Sequence, residues 1–310
     1  VVAKPSEITP YTAYLLTTVC HEIGLPSGVL NVVHGLGNKV GAAIVESPKT
    51  KAIAFTGGTS TGRYINEVCA RQFKKVSLEL GGKNPNIIFD DCDFEDMLAT
   101  TLRSSFTNQG QICLCGSRIF VQKAIYNRFR NAFVEKVKAL KVGNPKSEVN
   151  LGAVVSEAHM NKILSYIDIA KEEGGTILTG GKRYIPTDEC RDGYFIEPTI
   201  IEGLSHTCRV NQEEIFGPVV SLIPFDTEDD VIAMANSTPY GLACSIWTLN
   251  IQRAHRVAAK IDSGILWVNS WMVRDLRTPF GGMKESGIGR EGGFEAMRFF
   301  TEAKNIFIKY

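Results

Sequence analysis

The sequence predicts an α/β protein that has a parallel sheet in its first unit, because three observations agree. Short apolar strands alternate with amphipathic helices over the first 80 residues, an order typical of a parallel sheet with crossover helices. The 310 residues correspond to about two domains at roughly 150 residues each. With 44% hydrophobic and 22% charged residues, the composition is that of an ordinary globular protein, neither disordered nor collagen-like.

Charge and hydropathy exclude two classes of partner. The 34 basic and 33 acidic side chains give a net charge of +1, which provides no basic field for nucleic acid. The longest apolar stretches, such as 52–55, are far shorter than the roughly 20 residues that a membrane-spanning helix needs. We therefore expect neither a nucleic-acid nor a membrane partner.

The cysteines and histidines indicate reduced thiols and no metal. Eight cysteines are too dilute for a disulfide framework in a chain of this length, and no secretory segment precedes them, so a cytoplasmic location is expected. The five histidines are scattered, and Cys113 and Cys115 have no second cysteine pair. No metal site is expected.

In the first quarter of the chain the predicted elements are short and alternate strictly. A helix over 9–24 is expected to have Thr9 as its cap and Pro10 in its first turn. The other predicted helices cover 38–46 and 59–71, and the predicted strands cover 29–33, 52–55 and 76–80.

A second α/β unit follows the break at Gly81 and Gly82. Its helix over 93–108 leads into a loop, and Thr227 with Asp230 forms a capping box for a helix over 228–236. The last residues, 305–310, alternate like an edge strand that could pair with another element or subunit. Other predicted strands cover 86–89, 118–122, 219–224, 244–248 and 265–268, and other helices cover 157–173, 251–261 and a long segment built on Ile125, Phe129, Phe133, Val137 and Leu140.

Two thiols stand in the loop between the helix and the strand. Cys113 and Cys115 lie within residues 108–116, on a bent connection between two glycines, where side chains are unusually reachable. A reachable cysteine is a candidate nucleophile. The alternative is that either thiol is a small buried hydrophobic residue.

Glu79 is the candidate general base. It stands at the end of an apolar strand, before two glycines, where desolvation would raise the pKa of its carboxyl toward the range useful to a base. The alternative is an ion pair with Lys75 or Lys83 at the edge of the sheet.

A glycine turn over 55–63 leaves a strand and opens a helix. Such a helix start presents free backbone N–H groups to an anion such as a pyrophosphate. The turn is not a phosphate loop of the Walker type, because Arg63 follows Gly62, and it lacks the spacing of the dinucleotide fingerprint. An ordinary capped turn explains the pattern about as well.

In this order the motifs resemble the NAD(P)-dependent aldehyde dehydrogenase superfamily, over the whole chain. Residues 78–83 (Leu-Glu-Leu-Gly-Gly-Lys) match its glutamate motif and 108–113 (Asn-Gln-Gly-Gln-Ile-Cys) its cysteine motif, and the separation of 113 − 79 = 34 residues is also the family's. Residues 213–218, 279–284 and 286–291 match further blocks. The beginning at Val1 looks like a strand entered halfway, so we expect an N-terminally incomplete chain that lacks the family's asparagine oxyanion donor.

The resemblance implies an aldehyde dehydrogenase-like α/β fold in four parts. It implies part of a Rossmann-type, parallel-sheet coenzyme domain over 1–80 and a catalytic thiol domain over 81–285. A return segment over 286–300 and an oligomerisation strand over 301–310 would follow. A homo-oligomer, a dimer or a tetramer, is the expected assembly.

The resemblance also implies the roles of individual residues. Cys113 would be the nucleophile and Glu79 the general base, while Lys4 and Glu7 would hold the adenosine ribose. A carboxylate at position 7 suits free ribose hydroxyls and repels a 2′-phosphate, which favours NAD over NADP. The remaining cofactor-binding residues would be Gly57, Gly58, Thr59, Gly62, Leu80, Glu214 and Phe216.

Residues 269–280 resemble the branch of the superfamily that acts on 2-aminomuconic and 2-hydroxymuconic semialdehydes. Arg274 would then bind a substrate carboxylate, for which a guanidinium is well shaped. The alternative is a surface ion pair of Arg274 with Asp275 or a glutamate.

The expected reaction is NAD-dependent oxidation of a semialdehyde to the acid, through a thiohemiacetal and a thioester on the cysteine. One rival is an acylating enzyme that passes the thioester to coenzyme A, which Glu79 argues against because such relatives generally lack the base. The other rival is a truncated, inactive paralogue with a structural or assembly role.

Overall fold

Helices and strands alternate along the structure, a computed structural model that describes residues 1–310. The α-helices are α1 Tyr11–Glu22, α2 Ala42–Glu46, α3 Thr59–Arg71, α4 Phe94–Phe106, α5 Lys123–Lys138, α6 Glu157–Glu172, α7 Arg209–Gln212, α8 Glu228–Asn236, α9 Ile251–Ala258 and α10 Gly293–Phe300. The strands are β1 Val2–Ala3, β2 Asn31–Val32, β3 Ala52–Thr56, β4 Lys75–Glu79, β5 Asn84–Ile88, β6 Gly116–Gln122, β7 Thr176–Thr179, β8 Arg183–Tyr184, β9 Phe195–Ile196, β10 Thr199–Glu202, β11 Val219–Phe225, β12 Tyr240–Gly241, β13 Ala243–Trp247, β14 Ile265–Val268, β15 Met283–Lys284 and β16 Gly287–Ile288.

A seven-stranded sheet forms the centre of the larger α/β unit. Its strand order is β14-β13-β5-β6-β11-β10-β7, and every neighbouring pair is parallel except β10 with the edge strand β7. The expected second α/β unit is therefore confirmed, and most of its strand pairs are parallel.

Apolar side chains cover both faces of this sheet, because successive residues of a strand point to opposite sides. Ile88, on one face, belongs to the core cluster that α4 and α5 complete with Met97 and Phe133. Ile87, its neighbour, belongs to the cluster that α8 and α9 complete on the other face. The near-continuous apolar runs of these strands follow from this double burial.

The first quarter of the chain forms smaller sheets. β1 pairs with β2, and β3 pairs with β4, both in parallel, while β16 joins β4 in antiparallel orientation. Parallel pairing was expected here, but the pairs lie in two separate sheets rather than in one. β16 comes from the far end of the sequence, so no local pattern could indicate this pairing.

Several predicted boundaries agree with the structure and one cap does not. Helix α3 spans the predicted 59–71, and α8 carries the capping box of Thr227 and Asp230. The assignment of Thr9 as the cap of the first helix is wrong. Pro10 is the N-cap, and no side chain accepts a hydrogen bond there.

Apolar surface remains exposed at both ends of the chain. No residue of α1 or α10 is buried, and Leu16 and Phe300 are exposed on them. The strand expected over 305–310 is absent within the single chain, because a strand needs a hydrogen-bonded neighbour and this segment has none. No helix has the length and apolarity that crossing a bilayer requires.

Candidate active site

The site lies where the chain passes from the small sheet into the large one. β4 ends at Glu79, and residues 80–83 lead directly to Asn84, the first residue of β5. The cysteine loop ends at Gly116, the first residue of β6, and Gly116 is the register partner of Asn84. The glutamate motif and the cysteine motif therefore meet at the starts of two neighbouring strands.

Glu79 is a buried carboxylate with an altered acidity. Its residue is 6% exposed, and its Oε1 atom has no hydrogen-bond partner. Burial, helped by the Glu291 carboxylate and opposed by Arg290 and Arg274, raises the pKa of Glu79 to about 7. A group with this pKa exchanges a proton readily at neutral pH, as a general base must.

The alternative for Glu79, an ion pair at the sheet edge, is not what the structure contains. The Lys75 ammonium binds the Glu302 carboxylate at 2.7 Å and the Thr301 carbonyl at 2.6 Å. Lys83 is buried and forms no salt bridge. Glu79 is thus left without a neutralising partner in direct contact.

Cys113 is half-buried and lines a pocket of about 340 Å³. Burial, followed by the charges of Glu214 and Glu79, raises the pKa of its thiol to about 11. Arg274 acts in the opposite direction on the same thiol. Glu79 and Arg274 do not line this pocket.

The two thiols of the loop differ. Cys115 is 7% exposed, and burial raises the pKa of its thiol to about 12. Its Sγ atom lies 3.9 Å from the Thr107 carbonyl oxygen. The reading as a small buried residue therefore fits Cys115, and Cys113 is the reachable thiol.

Glu214 and Phe216 form part of the wall of the pocket that Cys113 lines. The Glu214 Oε1 atom accepts a hydrogen bond of 2.9 Å from the Gly82 backbone N–H. A Cβ atom on Gly81 would lie 2.5 Å from the Glu214 Oε2 atom, so the carboxylate packs where only glycine leaves room. Phe216 has a φ of +60°, a left-handed conformation that ordinary residues rarely adopt.

Two residues that the sequence analysis missed hold this wall from helix α6. The Nε2 atom of His159 forms a hydrogen bond of 2.6 Å with the Phe216 carbonyl oxygen, and Lys162 donates to the Glu214 carbonyl oxygen at 3.0 Å. Their spacing of three residues places them on one face of the helix. This spacing could have shown that the two side chains share a face of α6. Nothing in the sequence indicated that this face contacts the backbone of Glu214 and Phe216.

The glycine turn opens helix α3 without a side-chain cap. Gly58 is the N-cap residue, and no side chain accepts from the first backbone N–H groups. The Thr59 hydroxyl lies near the Tyr240 phenol without a hydrogen bond of normal geometry. The first backbone N–H groups of α3 are therefore left without a side-chain acceptor.

The turn is connected to the rest of the site through the small sheet. The Gly57 N–H donates to the Glu79 carbonyl oxygen at 3.0 Å. The buried Gly62 faces Leu80, and an added Cβ atom would lie 2.5 Å from a Leu80 methyl carbon. The predicted cofactor residues of the turn and of the glutamate motif therefore contact each other.

Lys4 and Glu7 are brought together at the edge of β1. The Lys4 ammonium lies 3.4 Å from the Glu7 carboxylate and donates to the Gly35 carbonyl oxygen at 3.0 Å. A backbone hydrogen bond and then the Lys4 partner hold the pKa of Glu7 below its usual value. None of these contacts reaches the pocket of Cys113.

Arg274 has no carboxylate partner. Its guanidinium carbon lies 4.0 Å from the centre of the Phe280 ring. The neighbouring Asp275 carboxylate is instead bound by Arg277, at 2.5 Å. The alternative of a surface pair between Arg274 and Asp275 is therefore wrong. No group of three or more histidine, cysteine, aspartate or glutamate side chains is arranged to hold a metal ion.

The fold and the paired motifs define a class that comparison with known proteins identifies. The chain belongs to the aldehyde dehydrogenase family, whose model matches residues 1–306. The crystal structure of betaine aldehyde dehydrogenase from Staphylococcus aureus in complex with NAD⁺ superposes with a TM-score of 0.92 at 43% identity, over 96% of this chain and 59% of that one. The aldehyde dehydrogenase fold is thereby confirmed.

More specific similarity lies with semialdehyde dehydrogenases. The chain is 50% identical to 2-aminomuconic 6-semialdehyde dehydrogenase from a Pseudomonas species, over 100% of this chain and 63% of that protein. It is 48% identical to 2-hydroxymuconic semialdehyde dehydrogenase from Pseudomonas putida, over 100% of this chain and 64% of that protein. The chain thus spans somewhat less than two thirds of the length of these relatives.

Proposed function

We propose that this chain carries the thiol, the base and most of the cofactor contacts of an NAD-dependent semialdehyde dehydrogenase. The observation that carries the proposal is a pocket lined by Cys113, Glu214 and Gly82, three residues after the buried Glu79 carboxylate, whose Oε1 atom has no hydrogen-bond partner. The reaction is oxidation of an aldehyde to a carboxylic acid with a covalent intermediate on the cysteine.

The first step needs a thiolate, because the thiol itself is a poor nucleophile. With its pKa raised to about 11, the Cys113 thiol of the resting chain is protonated at neutral pH. The proton of the thiol passes to solvent as the sulfur adds to the aldehyde carbon, and the charge of Arg274, which lowers the pKa of this thiol, favours the thiolate. The product of addition is a thiohemiacetal, whose oxyanion the Cys113 backbone N–H can stabilise.

The second half of the reaction releases the acid. Once hydride has left the carbon, the intermediate is a thioester on Cys113. Glu79 then removes a proton from a water molecule, which attacks the thioester carbonyl and frees the thiol. General-base assistance of this kind typically accelerates a step by about 10²- to 10⁴-fold.

The residues around the site fit a dinucleotide. The uncapped start of α3 offers backbone N–H groups to a pyrophosphate, and Lys4 with Glu7 offers an ammonium and a carboxylate to ribose hydroxyls. Glu214 and Phe216 would hold the nicotinamide ribose and ring beside Cys113. When bound, the nicotinamide accepts the hydride. The carboxylate of Glu7 would repel the 2′-phosphate of NADP, so NAD is the proposed cofactor.

The proposed substrate is a semialdehyde that carries a carboxylate, such as 2-aminomuconic or 2-hydroxymuconic semialdehyde. Arg274 supports this, since its guanidinium lacks an acidic partner yet is near enough to Cys113 and Glu79 to lower the pKa of both. The same charge would repel a cationic aldehyde such as betaine aldehyde. The names of the similar semialdehyde dehydrogenases agree with this choice.

Two rivals are less well supported. An acylating enzyme needs no base for hydrolysis, whereas Glu79 is buried with a pKa near neutrality and has no structural partner. A purely structural paralogue has no need for an unpaired Glu79 beside a reachable thiol. Product analysis distinguishes the acylating enzyme and the structural paralogue from a hydrolytic dehydrogenase.

We also propose the assembly and the division of the chain. The exposed apolar side chains of α10 and of residues 305–310 would pair with another subunit, giving a homo-oligomer. The coenzyme part would end near residue 80 and the thiol part near 285, with the return segment and the oligomerisation strand beyond. The proposed location is the cytoplasm.

The test is turnover with product analysis. The protein is incubated with NAD and a carboxylated semialdehyde, and the reduced nicotinamide is followed by its absorbance, with and without coenzyme A. We expect reduced nicotinamide and the free acid in equal amounts, unaffected by coenzyme A. A coenzyme A thioester as product would establish the acylating rival, and saturable cofactor binding without any reduction would establish the structural one.

A further inference from the structure

The backbone of the cysteine turn, residues 113–115, is held by two side chains from other elements. The Asn84 Nδ2 atom donates to the carbonyl oxygen of Cys113 at 2.7 Å and to that of Cys115 at 2.9 Å. The indole Nε1 atom of Trp271 donates to the Leu114 carbonyl oxygen at 2.9 Å. Three consecutive backbone acceptors are thus satisfied from outside the turn.

Both donors are themselves fixed in place. Asn84 is 3% exposed, and its Oδ1 atom accepts a hydrogen bond of 3.0 Å from the Ala243 backbone N–H. Trp271 is 6% exposed and packs in an apolar cluster with Leu114 and Phe280. A buried donor with one fixed orientation holds its acceptor more rigidly than water can.

The entry to the turn is under backbone strain. Asn108 and Gln109 have φ values of +52° and +57°, in the left-handed region. Non-glycine residues keep such conformations only where the surrounding structure imposes them. Asn84 and Trp271 bind the backbone of residues 113–115, a few residues after this strained entry. Their hydrogen bonds therefore fix the position of the thiol beyond the bend.

Trp271 also connects this turn to the loop of Arg274. Trp271 precedes Arg274 by three residues on this loop. The indole of Trp267, a residue of β14, donates to the carbonyl oxygen of Val273 on the same loop at 2.8 Å. One indole therefore ties the loop to the cysteine turn, and the other ties it to β14.

We propose that Asn84 and Trp271 are positioning residues that hold the Cys113 thiol for attack and fix its distance from Arg274. The proposal rests on the function proposed above. It implies that the site selects semialdehydes by the distance between their carboxylate and their aldehyde carbon, because Trp271 ties the turn of Cys113 to the loop of Arg274. A substrate of the wrong length would engage Arg274 without bringing its carbonyl carbon to the sulfur.

The experiment compares two tryptophan variants in the full chain. Trp271→Phe removes the donor to the cysteine turn, and Trp267→Phe removes a donor to the same loop that does not reach the turn. The rate of Cys113 alkylation by iodoacetamide is measured against pH by mass spectrometry of its peptide, with the Cys20 peptide as an internal reference. The hydride burst and the KM for the carboxylated semialdehyde are measured on the same samples.

For Trp271→Phe we expect alkylation of Cys113 to begin at lower pH, because a freed turn exposes the thiol whose burial raises its pKa to about 11. The burst rate constant should fall about tenfold, the scale of one lost hydrogen bond to a buried acceptor, with little change in KM. Trp267→Phe should raise KM and leave the alkylation profile of Cys113 unchanged. Asn84→Leu, which cannot donate to either carbonyl and adds no charge, should reproduce the effects of Trp271→Phe.

Superimposable alkylation profiles for the wild type and Trp271→Phe would overturn the proposal. So would a Trp271→Phe variant that changes only KM, as its control does. The thermal midpoint of each variant identifies any loss of fold, and Asn84→Leu provides the second test in that case. If the wild type transfers no hydride, the function fails, and the alkylation comparison still decides the positioning role.

Discussion

The guanidinium of Arg274 lies over the ring of Phe280, with 4.0 Å between the guanidinium carbon and the ring centre. This stacking keeps the charge near the site while leaving its N–H groups free for a carboxylate. The nearest acidic residue in sequence, Asp275, is occupied by Arg277. Within four residues, one arginine is paired with a carboxylate and the other is not, and the proposed binding role of Arg274 can be tested.

Arg274→Ala should raise the KM for a carboxylated semialdehyde by about one to two orders of magnitude, the scale of a lost charged hydrogen bond. The KM for a neutral aldehyde of similar length should change little. Arg277→Ala is the matched control, because its side chain is 88% exposed and binds only Asp275. The measurement is the KM of each variant for both aldehydes by steady-state kinetics. An equal rise in KM for the carboxylated and the neutral aldehyde in Arg274→Ala would show that Arg274 does not bind the substrate carboxylate.

Cys113→Ala should abolish the hydride burst, with turnover reduced by at least about 10³-fold, because no other reachable sulfur lines the pocket. Cys20→Ala, on the exposed helix α1, should behave as the wild type. Stopped-flow measurement of nicotinamide reduction is the readout. A burst in Cys113→Ala would assign the nucleophile to another residue.

Glu79→Gln should keep the burst but reduce steady turnover by about 10²- to 10⁴-fold, since an amide cannot take a proton from water. In the wild type, turnover should rise with pH through about 7, because the base works only after Glu79 has lost its proton. Glu291→Gln should move this rise to lower pH, since the Glu291 charge is one cause of the raised pKa. A pH profile that Glu79→Gln leaves unchanged would exclude Glu79 as the base.

Glu7→Gln should reduce the preference for NAD over NADP by about tenfold, because the repulsion of a 2′-phosphate by the carboxylate disappears. Glu22→Gln, in the last turn of α1, serves as the control for the loss of one negative charge. The measurement is the ratio of kcat/KM for the two dinucleotides. An unchanged ratio in Glu7→Gln would place the discrimination elsewhere.

Gly62→Ala should lower the free energy of unfolding by about 1–3 kcal/mol, because its methyl group would overlap the buried Leu80 side chain. Gly58→Ala should change it by less than about 0.5 kcal/mol, since the added carbon meets no atom within 4 Å. Denaturant unfolding of the two variants provides the comparison. Equal stabilities would mean that Leu80 does not press on the turn.

Much of the fold could be predicted because its signals are local. The capping box at Thr227 and Asp230, the extent of α3 and the apolar strands of the large sheet all follow from neighbouring residues. The pairing of β16 with β4 could not be predicted, because its two strands are about 200 residues apart and both are short. The strand expected over 305–310 has the right alternation but no partner within the chain.

The candidate site divides in the same way. The sequence by itself determined which residues could react. A thiol in a bent loop and a carboxylate at the end of an apolar strand are unusual in any fold, so they can be recognised before the tertiary structure is known. Only the tertiary structure decided how those groups are held. Hydrogen bonds join the side chains of His159, Asn84 and Trp271 to the carbonyl oxygens of Phe216, Cys113 and Leu114, respectively. The physical reason is that reactivity depends on the type of side chain, which the sequence states, whereas orientation depends on hydrogen bonds between distant segments, which exist only after the sheets have assembled.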